Sequence, residues 1–286
     1  MATVAAIAAS RKRIAPFRLF RPSTIEALCE LKRRWPDALL HAGGIDLVSR
    51  MKAGLAASAV IDIGALDEIK GVRQVGDAVE IGSTTTHWQI EHDGFLKTVL
   101  PAVPDFVAGL GNVRVRVQGT IGGNVMAAEA GYEMLPLLAA LDAELRFVDC
   151  GNSTRQSVPA RVCDMEASAG TRLLAVIAIP LRGKTVTWDR SLRPQLGLVA
   201  ALDWREGMVV SGFAALTGCG RVWASLPLVR PLSRNEIVAA SAAIAEDWVE
   251  RLPQLDGLTG LSRDYGRHVV QVMLRRAITR MAQAPA

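Results

Sequence analysis

The chain has 286 residues, enough for two modest domains or one large one, and half of them are apolar, which is ample for a core. Its formal net charge of +5 comes from scattered Lys and Arg, with runs only at 11–13 and 32–34, and aromatics make up only 5%. That speaks against nucleic-acid binding, which wants basic residues interleaved with stacking aromatics. Four cysteines without a CxxC pair and four histidines without ligand spacing speak against a structural zinc or a cysteine-held iron–sulfur cluster in this chain.

The elements read in chain order as follows. The first ten residues are apolar, but basic residues follow them instead of preceding them, the reverse of a signal peptide. No apolar run reaches the length of a membrane span. Cys29, Cys150, Cys163 and Cys219 read as lone thiols that fit a reducing compartment, so a cytoplasmic location is expected. Ser23 and Glu26 make an S-x-x-E capping box, and Ile25, Leu28, Cys29 and Leu31 give one apolar helix face ending near Trp35, before Pro36. "ALLHA" is a short strand, Gly43 and Gly44 a turn, and "DLVSRMKAG" a helix ending at Gly54. "SAVIDIG" is a strand, and "DAVEIGSTTT" another with Val79 and Ile81 inward. The stretch from Thr86 to Gly111 reads as helix in two pieces, broken at Pro101 and Pro104. In "NVRVRVQG", Arg114 and Arg116 alternate as in a strand. "GTIGGN" is a second glycine-rich turn, followed by a helix and a strand, and "RLLAVIAIP" (172–180) is a strand closed by Pro180. Beyond it, "GLVAALDW", "GMVVSGFAAL" and "RVWASLPLV" read as antiparallel strands, and two helices close the chain. A domain boundary is expected near 180–186.

Two Gly-Gly turns therefore stand after or before apolar segments. Backbone N–H groups bared in such turns cradle phosphates, and glycine lets the ligand come close. Either turn alone is better explained as a tight turn. Together, with the hydrogen-bonding Thr120 and Asn124 flanking the second, they point to a nucleotide gripped from two sides. A dinucleotide fingerprint is missing, since "GLGNVR" carries Arg114 where its third glycine should be.

"AGGIDLVSRMK" and "GTIGGNVMAAEAGYEMLPLLAALDAELRF" resemble the FAD-binding medium subunit of molybdenum hydroxylases, the family that includes carbon monoxide dehydrogenase flavoproteins and the FAD domain of xanthine dehydrogenase. "FRPSTIEAL" and "SRDYGRHVVQVMLRRAI" resemble the family's opening and closing segments, so the likeness covers nearly the whole chain. It implies an α+β fold: a two-subdomain FAD-binding part of the p-cresol methylhydroxylase-like type (1–182, split near 65–75) and a smaller C-terminal α/β domain (183–286). It implies FAD in this chain and, in partner subunits, a molybdenum cofactor and [2Fe-2S] clusters. The partners are a large molybdenum subunit and a small iron–sulfur subunit, arranged as heterotrimers or dimers of them. The chain itself carries no catalytic residue and no metal site, and relays electrons to an acceptor the sequence does not name.

Carried over position by position, the resemblance assigns the first cofactor loop to Leu40, His41, Ala42, Gly43, Gly44, Ile45, Asp46 and Leu47, with the backbone amides of Gly43, Gly44 and Ile45 near the diphosphate. Thr120, Ile121, Gly122, Gly123 and Asn124 form the second. Leu110 and Leu174 fall at apolar positions near the cofactor, and Glu133 where a hydroxyl-accepting Asp is usual. The departures are Ile45 in place of a polar residue, Glu133 in place of Asp, and "AAEAGYEM" in place of a Ser-Pro turn. Arg190 and Arg193 are candidates for a cation near the flavin or for plain solvation, Arg116 for support of the second loop or of the partner iron–sulfur subunit, and Tyr132 for a cover. His87 reads as a helix-start residue, and Trp88, Trp188, Trp204, Trp223 and Trp248 as core or interface anchors. Two other readings compete: a self-sufficient FAD oxidoreductase, and a flavin-less binding module of the same fold.

Overall fold

A computed structural model describes residues 14–127, 129, 131–163, 171–190, 196–217, 222–252 and 262–284. Cys219 and Arg193 lie outside the described residues. The N-terminal unit is β1 (Arg18–Phe20), α1 (Ile25–Arg34), β2 (Leu39–His41), α2 (Ile45–Lys52) and β3 (Ala59–Asp62). Its three strands pair in parallel, in the order β1-β3-β2. Parallel pairing needs crossovers, and α1 and α2 supply them. The capping residue of α1 is Thr24, whose side chain accepts from the Ala27 N–H, so the cap stands one residue later than Ser23. The buried Lys32 ends this helix by donating to Pro36 O (2.6 Å) and Ala38 O (3.0 Å).

The middle unit is a five-stranded antiparallel sheet in the order β4-β5-β8-β6-β7, made of β4 (Val72–Val75), β5 (Ala78–Gly82), β6 (Glu144–Asp149), β7 (Thr154–Pro159) and β8 (Arg172–Pro180). Six short helices intervene between β5 and β6: α3 (His87–His92), α4 (Gly94–Val99), α5 (Ala102–Ala108), α6 (Val113–Gln118), α7 (Ile121–Ala127) and α8 (Met134–Ala140). Three expectations are corrected here. The break before α4 falls at Asp93, and Pro104 sits inside α5, where a first-turn residue needs no N–H acceptor. "VRVRVQ" is α6, started by the Asn112 side chain on the Val115 N–H. Ile121, Gly122 and Gly123 are the opening turn of α7 instead of an open loop.

The last unit is an antiparallel four-stranded sheet in the order β12-β11-β10-β9, from β9 (Lys184–Arg190), β10 (Gly197–Arg205), β11 (Met208–Thr217) and β12 (Trp223–Ser225). It is backed by α9 (Arg234–Glu250) and α10 (Arg263–Gln283). Three apolar cores result. One lies between α1, the parallel sheet and the face of β6 and β8 that carries Val148 and Ala175. The second lies between the other face of the middle sheet and α3, α5 and α8, and reaches β10 and β11 through Val199 and Phe213. The third joins the last sheet to its two helices around Trp248. The α+β architecture expected from the sequence is thus present. No described helix is long and apolar enough to cross a membrane.

The lone-thiol reading of the cysteines is corrected. Cys29 on α1 and Cys150 at the end of β6 form a disulfide across 121 residues of sequence, with Cα atoms 4.4 Å apart. Such a distant pairing leaves no spacing signature, and buried cysteines otherwise pass for small core residues.

Candidate functional site

The first glycine pair ends β2 and opens α2. Gly44 is the N-cap at φ +72°, a left-handed conformation that glycine adopts without the steric cost of a Cβ. No side chain caps this helix, so its first-turn N–H groups remain offered to a ligand. His41 is held in the adjoining strand by Asp62, with Nδ1 3.2 Å from the carboxylate. Burial opposes ionisation of Asp62, yet the Gly64 N–H, His41 and Arg21 together hold its carboxyl below the usual range. The second pair is clamped to the segment after β5. The Ile121 N–H donates to Thr85 O (3.0 Å), the Gly122 N–H to Ser83 O (2.9 Å), and the His87 N–H to Gly119 O (2.9 Å).

The four glycines have different neighbours. A Cβ on Gly43 would strike the Gln118 carbonyl, and one on Gly122 would meet Ser83. Gly43 and Gly122 are therefore glycines because two backbone segments touch there. A Cβ on Gly44 would meet the His41 ring. A Cβ on the exposed Gly123 would meet only Thr120 Oγ1, at 2.9 Å, so this residue alone of the four faces open space.

The contact of Gly43 with Gln118 brings the two segments to one cleft of about 310 Å³. Ala42 and Gly43 line it from the first segment, and Thr120 and Gln118 from the second. Gly64, Lys70, Thr84, Thr86, Trp88, Gln89 and Val117 complete it. These seven and Gln118 were not among the sequence candidates; the hydroxyl run "STTT" and the nearby Lys70 were the available signals. Of the two roles read for Trp88, core or interface anchor, the core one is excluded, since it is exposed and stacks on His92 with ring centres 3.9 Å apart.

Three buried polar atoms beside the second segment have no hydrogen-bond partner among the described residues: Ser83 Oγ, His87 Nδ1 and Asn124 Oδ1. Buried polar groups are rarely left so, and Asn124 adjoins the open side of Gly123. Burial, and next the Arg116 charge, push the His87 imidazole down to about 4, so it is neutral at pH 7. The uncapped start of α2, the cleft and the open Gly123 fit the diphosphate of a cofactor, and the unpartnered Asn124 Oδ1, an acceptor, fits one of its hydroxyl or N–H groups.

The remaining candidates lie elsewhere. Leu110, Ile121 and Leu174 are buried in the core behind the cleft. Leu40 and Leu47 are half-buried on β2 and α2. Asp46 pairs with Arg50 (2.8 Å), which also reaches Glu129 (2.5 Å), and Asp46 hydrogen-bonds Tyr132, whose hydroxyl is pushed up chiefly by burial. Glu133 binds Arg190 of β9. Among the described residues no cluster of His, Cys, Asp and Glu could hold a metal ion.

Comparison with known proteins agrees with this geometry. Residues 15–181 match the family model of the FAD binding domain in molybdopterin dehydrogenase. The carbon monoxide dehydrogenase medium chain of Afipia carboxidovorans is 27% identical over 288 residues, covering 92% of this chain and 96% of its own. The caffeine dehydrogenase subunit beta of a Pseudomonas species is 26% identical over 177 residues, a match that spans only 60% of either chain. The crystal structure of quinoline 2-oxidoreductase from Pseudomonas putida 86 superposes with a TM-score of 0.82 at 22% identity, over 95% of this chain and 98% of that one. The chain belongs to the family of FAD-binding subunits of molybdopterin-dependent dehydrogenases, the flavoprotein components of multi-subunit oxidoreductases.

Proposed function

We propose that this chain is the FAD-carrying electron-transfer subunit of a molybdenum-containing hydroxylase. It takes electrons from [2Fe-2S] clusters of a small partner subunit and passes them to an external acceptor. A large partner subunit holds the molybdenum cofactor and selects the substrate. The heterotrimers pair into dimers in the same reading. The observation that carries the proposal is the family match over 15–181 together with the cleft where two glycine segments meet.

Bound FAD supplies the redox chemistry, and the chain supplies placement and electrostatics. The first-turn N–H groups of α2, from Ile45 to Leu47, donate to the diphosphate, aided by the positive end of the helix. Ile45 brings no side-chain donor, so backbone groups do this work. Thr120 lines the opposite side, Gly123 and Asn124 follow it on α7, and Lys70 adds a positive charge to the cleft wall. Leu110 and Leu174, which the resemblance gives to the ring system, lie in the core behind the cleft and would support the site from there. The FAD-binding part runs through 1–182 and the C-terminal part through 183–286.

The test is purification of the tagged chain from its own cells, with flavin, molybdenum and iron measured in the recovered material. One FAD per chain, together with a larger molybdenum-bearing and a smaller iron-bearing partner, is the expected result. A chain that purifies alone with FAD and by itself reduces a dye with an oxidisable substrate would be a self-sufficient oxidoreductase. A chain that takes up no FAD would be a binding module, and either outcome defeats the proposal.

A further inference from the structure

We propose that Glu133 is a positioning residue for FAD: its carboxylate latches Arg190 across the junction between the middle and last units, and FAD affinity depends on that latch. The proposal rests on the FAD-site reading above. It departs from the resemblance, which gives this position to an acceptor of a cofactor hydroxyl.

Both carboxylate oxygens of Glu133 are engaged within the chain. Arg190 Nε lies 3.1 Å from each oxygen, and Nη2 lies 3.1 Å from Oε2. Thr217 Oγ1 on β11 donates to Oε1 at 3.3 Å. The same guanidinium donates to Phe106 O at 3.4 Å and lies 4.8 Å from the Phe106 ring centre. Phe106 in turn meets Trp188 of β9 edge-on. A forked guanidinium on a carboxylate is among the stronger hydrogen-bonded pairs, and here it is three-quarters or more buried at each partner.

Two glycines leave the space this arrangement needs. Gly109 has ordinary helical backbone angles, yet a Cβ there would strike Arg190 Nη1. A Cβ on Gly197 would strike Thr217 Oγ1 and lie 3.3 Å from Glu133 Oε1. Neither is explained by a positive φ. Beside the latch, Asp189 binds Arg280 of α10 at 2.7 Å, so β9 is fastened on both sides. Gly109 directly precedes Leu110, and Glu133 opens α8 just after the segment of Asn124. Releasing Arg190 would therefore loosen the core that backs the second cofactor segment, and would leave a largely buried carboxylate without its charged partner.

The experiment titrates FAD into flavin-stripped full-length protein, wild type and E133Q, E133D, R190M and E133Q/R190M, by flavin fluorescence, and melts each protein without flavin. Each single variant is expected to weaken FAD at least tenfold and to lower the flavin-free melting temperature. The double variant should do no worse than the weaker single one, because the two residues act as one device. E133D restores the residue usual at this position but shortens its reach to Arg190, so it should weaken FAD as well. Wild-type affinity in R190M or E133D beside a loss in E133Q would overturn the latch and make Glu133 a direct cofactor ligand, as would additive losses. If the wild type itself takes no FAD, the site reading fails, while the flavin-free melts still report whether Glu133 and Arg190 are coupled.

Discussion

Gly123→Ala separates cofactor contact from packing, because its two consequences have opposite signs. The residue is exposed in the opening turn of α7, and its missing side chain points at open space apart from Thr120 Oγ1. Replacing a helical glycine by alanine stabilises by up to about 1 kcal/mol, through lost freedom of the unfolded chain. The hydroxyl at 2.9 Å must give by a few tenths of an ångström, which erodes part of that gain. The flavin-free protein is therefore expected to melt no lower than wild type. A bound diphosphate meets the new methyl, and FAD affinity should fall at least tenfold, about 1.4 kcal/mol. Gly43→Ala is the control, since its methyl collides with the backbone carbonyl of Gln118, which cannot rotate away. Overpacking of that kind costs about 1–3 kcal/mol, so this variant should melt lower even without flavin. Calorimetric melts of flavin-free protein and FAD titration by fluorescence quenching read both quantities. Full flavin retention in Gly123→Ala would refute the placement of the cofactor beside α7. A melt depressed as far as that of Gly43→Ala would show Gly123 to be a packing glycine.

Other outcomes follow from single side chains. His87 is buried neutral, so the unfolded chain binds its proton first: stability is full above pH 6.5 and falls as the pH drops toward 4, by about 3 kcal/mol in all. Urea midpoints across that range should lose this slope in His87→Gln, and an unchanged slope would remove His87 as its source. The Cys29–Cys150 bridge closes 121 residues, for which chain entropy gives about 5 kcal/mol at most. Melting with and without a dithiol reductant, beside Cys29→Ser/Cys150→Ser, should show a large drop for the native chain and none for the variant. Thiol labelling of fresh extract then tells whether the bridge persists in the cell. Lys32→Met leaves the Pro36 and Ala38 carbonyls without their donor and is expected to cost about 1–3 kcal/mol in chemical unfolding, with FAD affinity unaffected.

How far the fold was legible depended on where apolar side chains went. "RLLAVIAIP" is the central strand of the middle sheet and is buried along most of its length, so a seven-residue apolar run between Arg172 and Pro180 marked β8 to the residue. "VRVRVQ" alternates like a strand, yet α6 buries none of its side chains, so the alternation answers to no core face. The Asn112 cap decides the helix instead, a local bond that outweighs pattern when burial is absent. Pro104 misled for a related reason, because a first-turn proline gives up an N–H that had no helical partner. Pairings across 121 residues for Cys29 and 57 for Glu133 leave no local trace, and the second is why Glu133 reads from sequence as a cofactor contact.

The site shows the same division. The glycine segments were legible as punctuation, but the reason for each glycine was not. Gly44 answers to a backbone angle, Gly43 and Gly122 to touching backbones, and Gly123 to open space. The first segment belongs to the parallel sheet and the second to the helices over the middle sheet, so the cleft exists only while those two units stay in contact. Gly43 against Gln118 joins them at the cleft, and Cys29 to Cys150 joins them through the shared core. A ligand held by the first-turn N–H groups of α2 and resting against Thr120 and Gly123 of the second segment adds a third tie, and its binding energy works to keep the units together. Cofactor affinity and the docking of the parallel sheet are therefore linked quantities: a change that loosens one weakens the other, even where it touches no atom of the ligand.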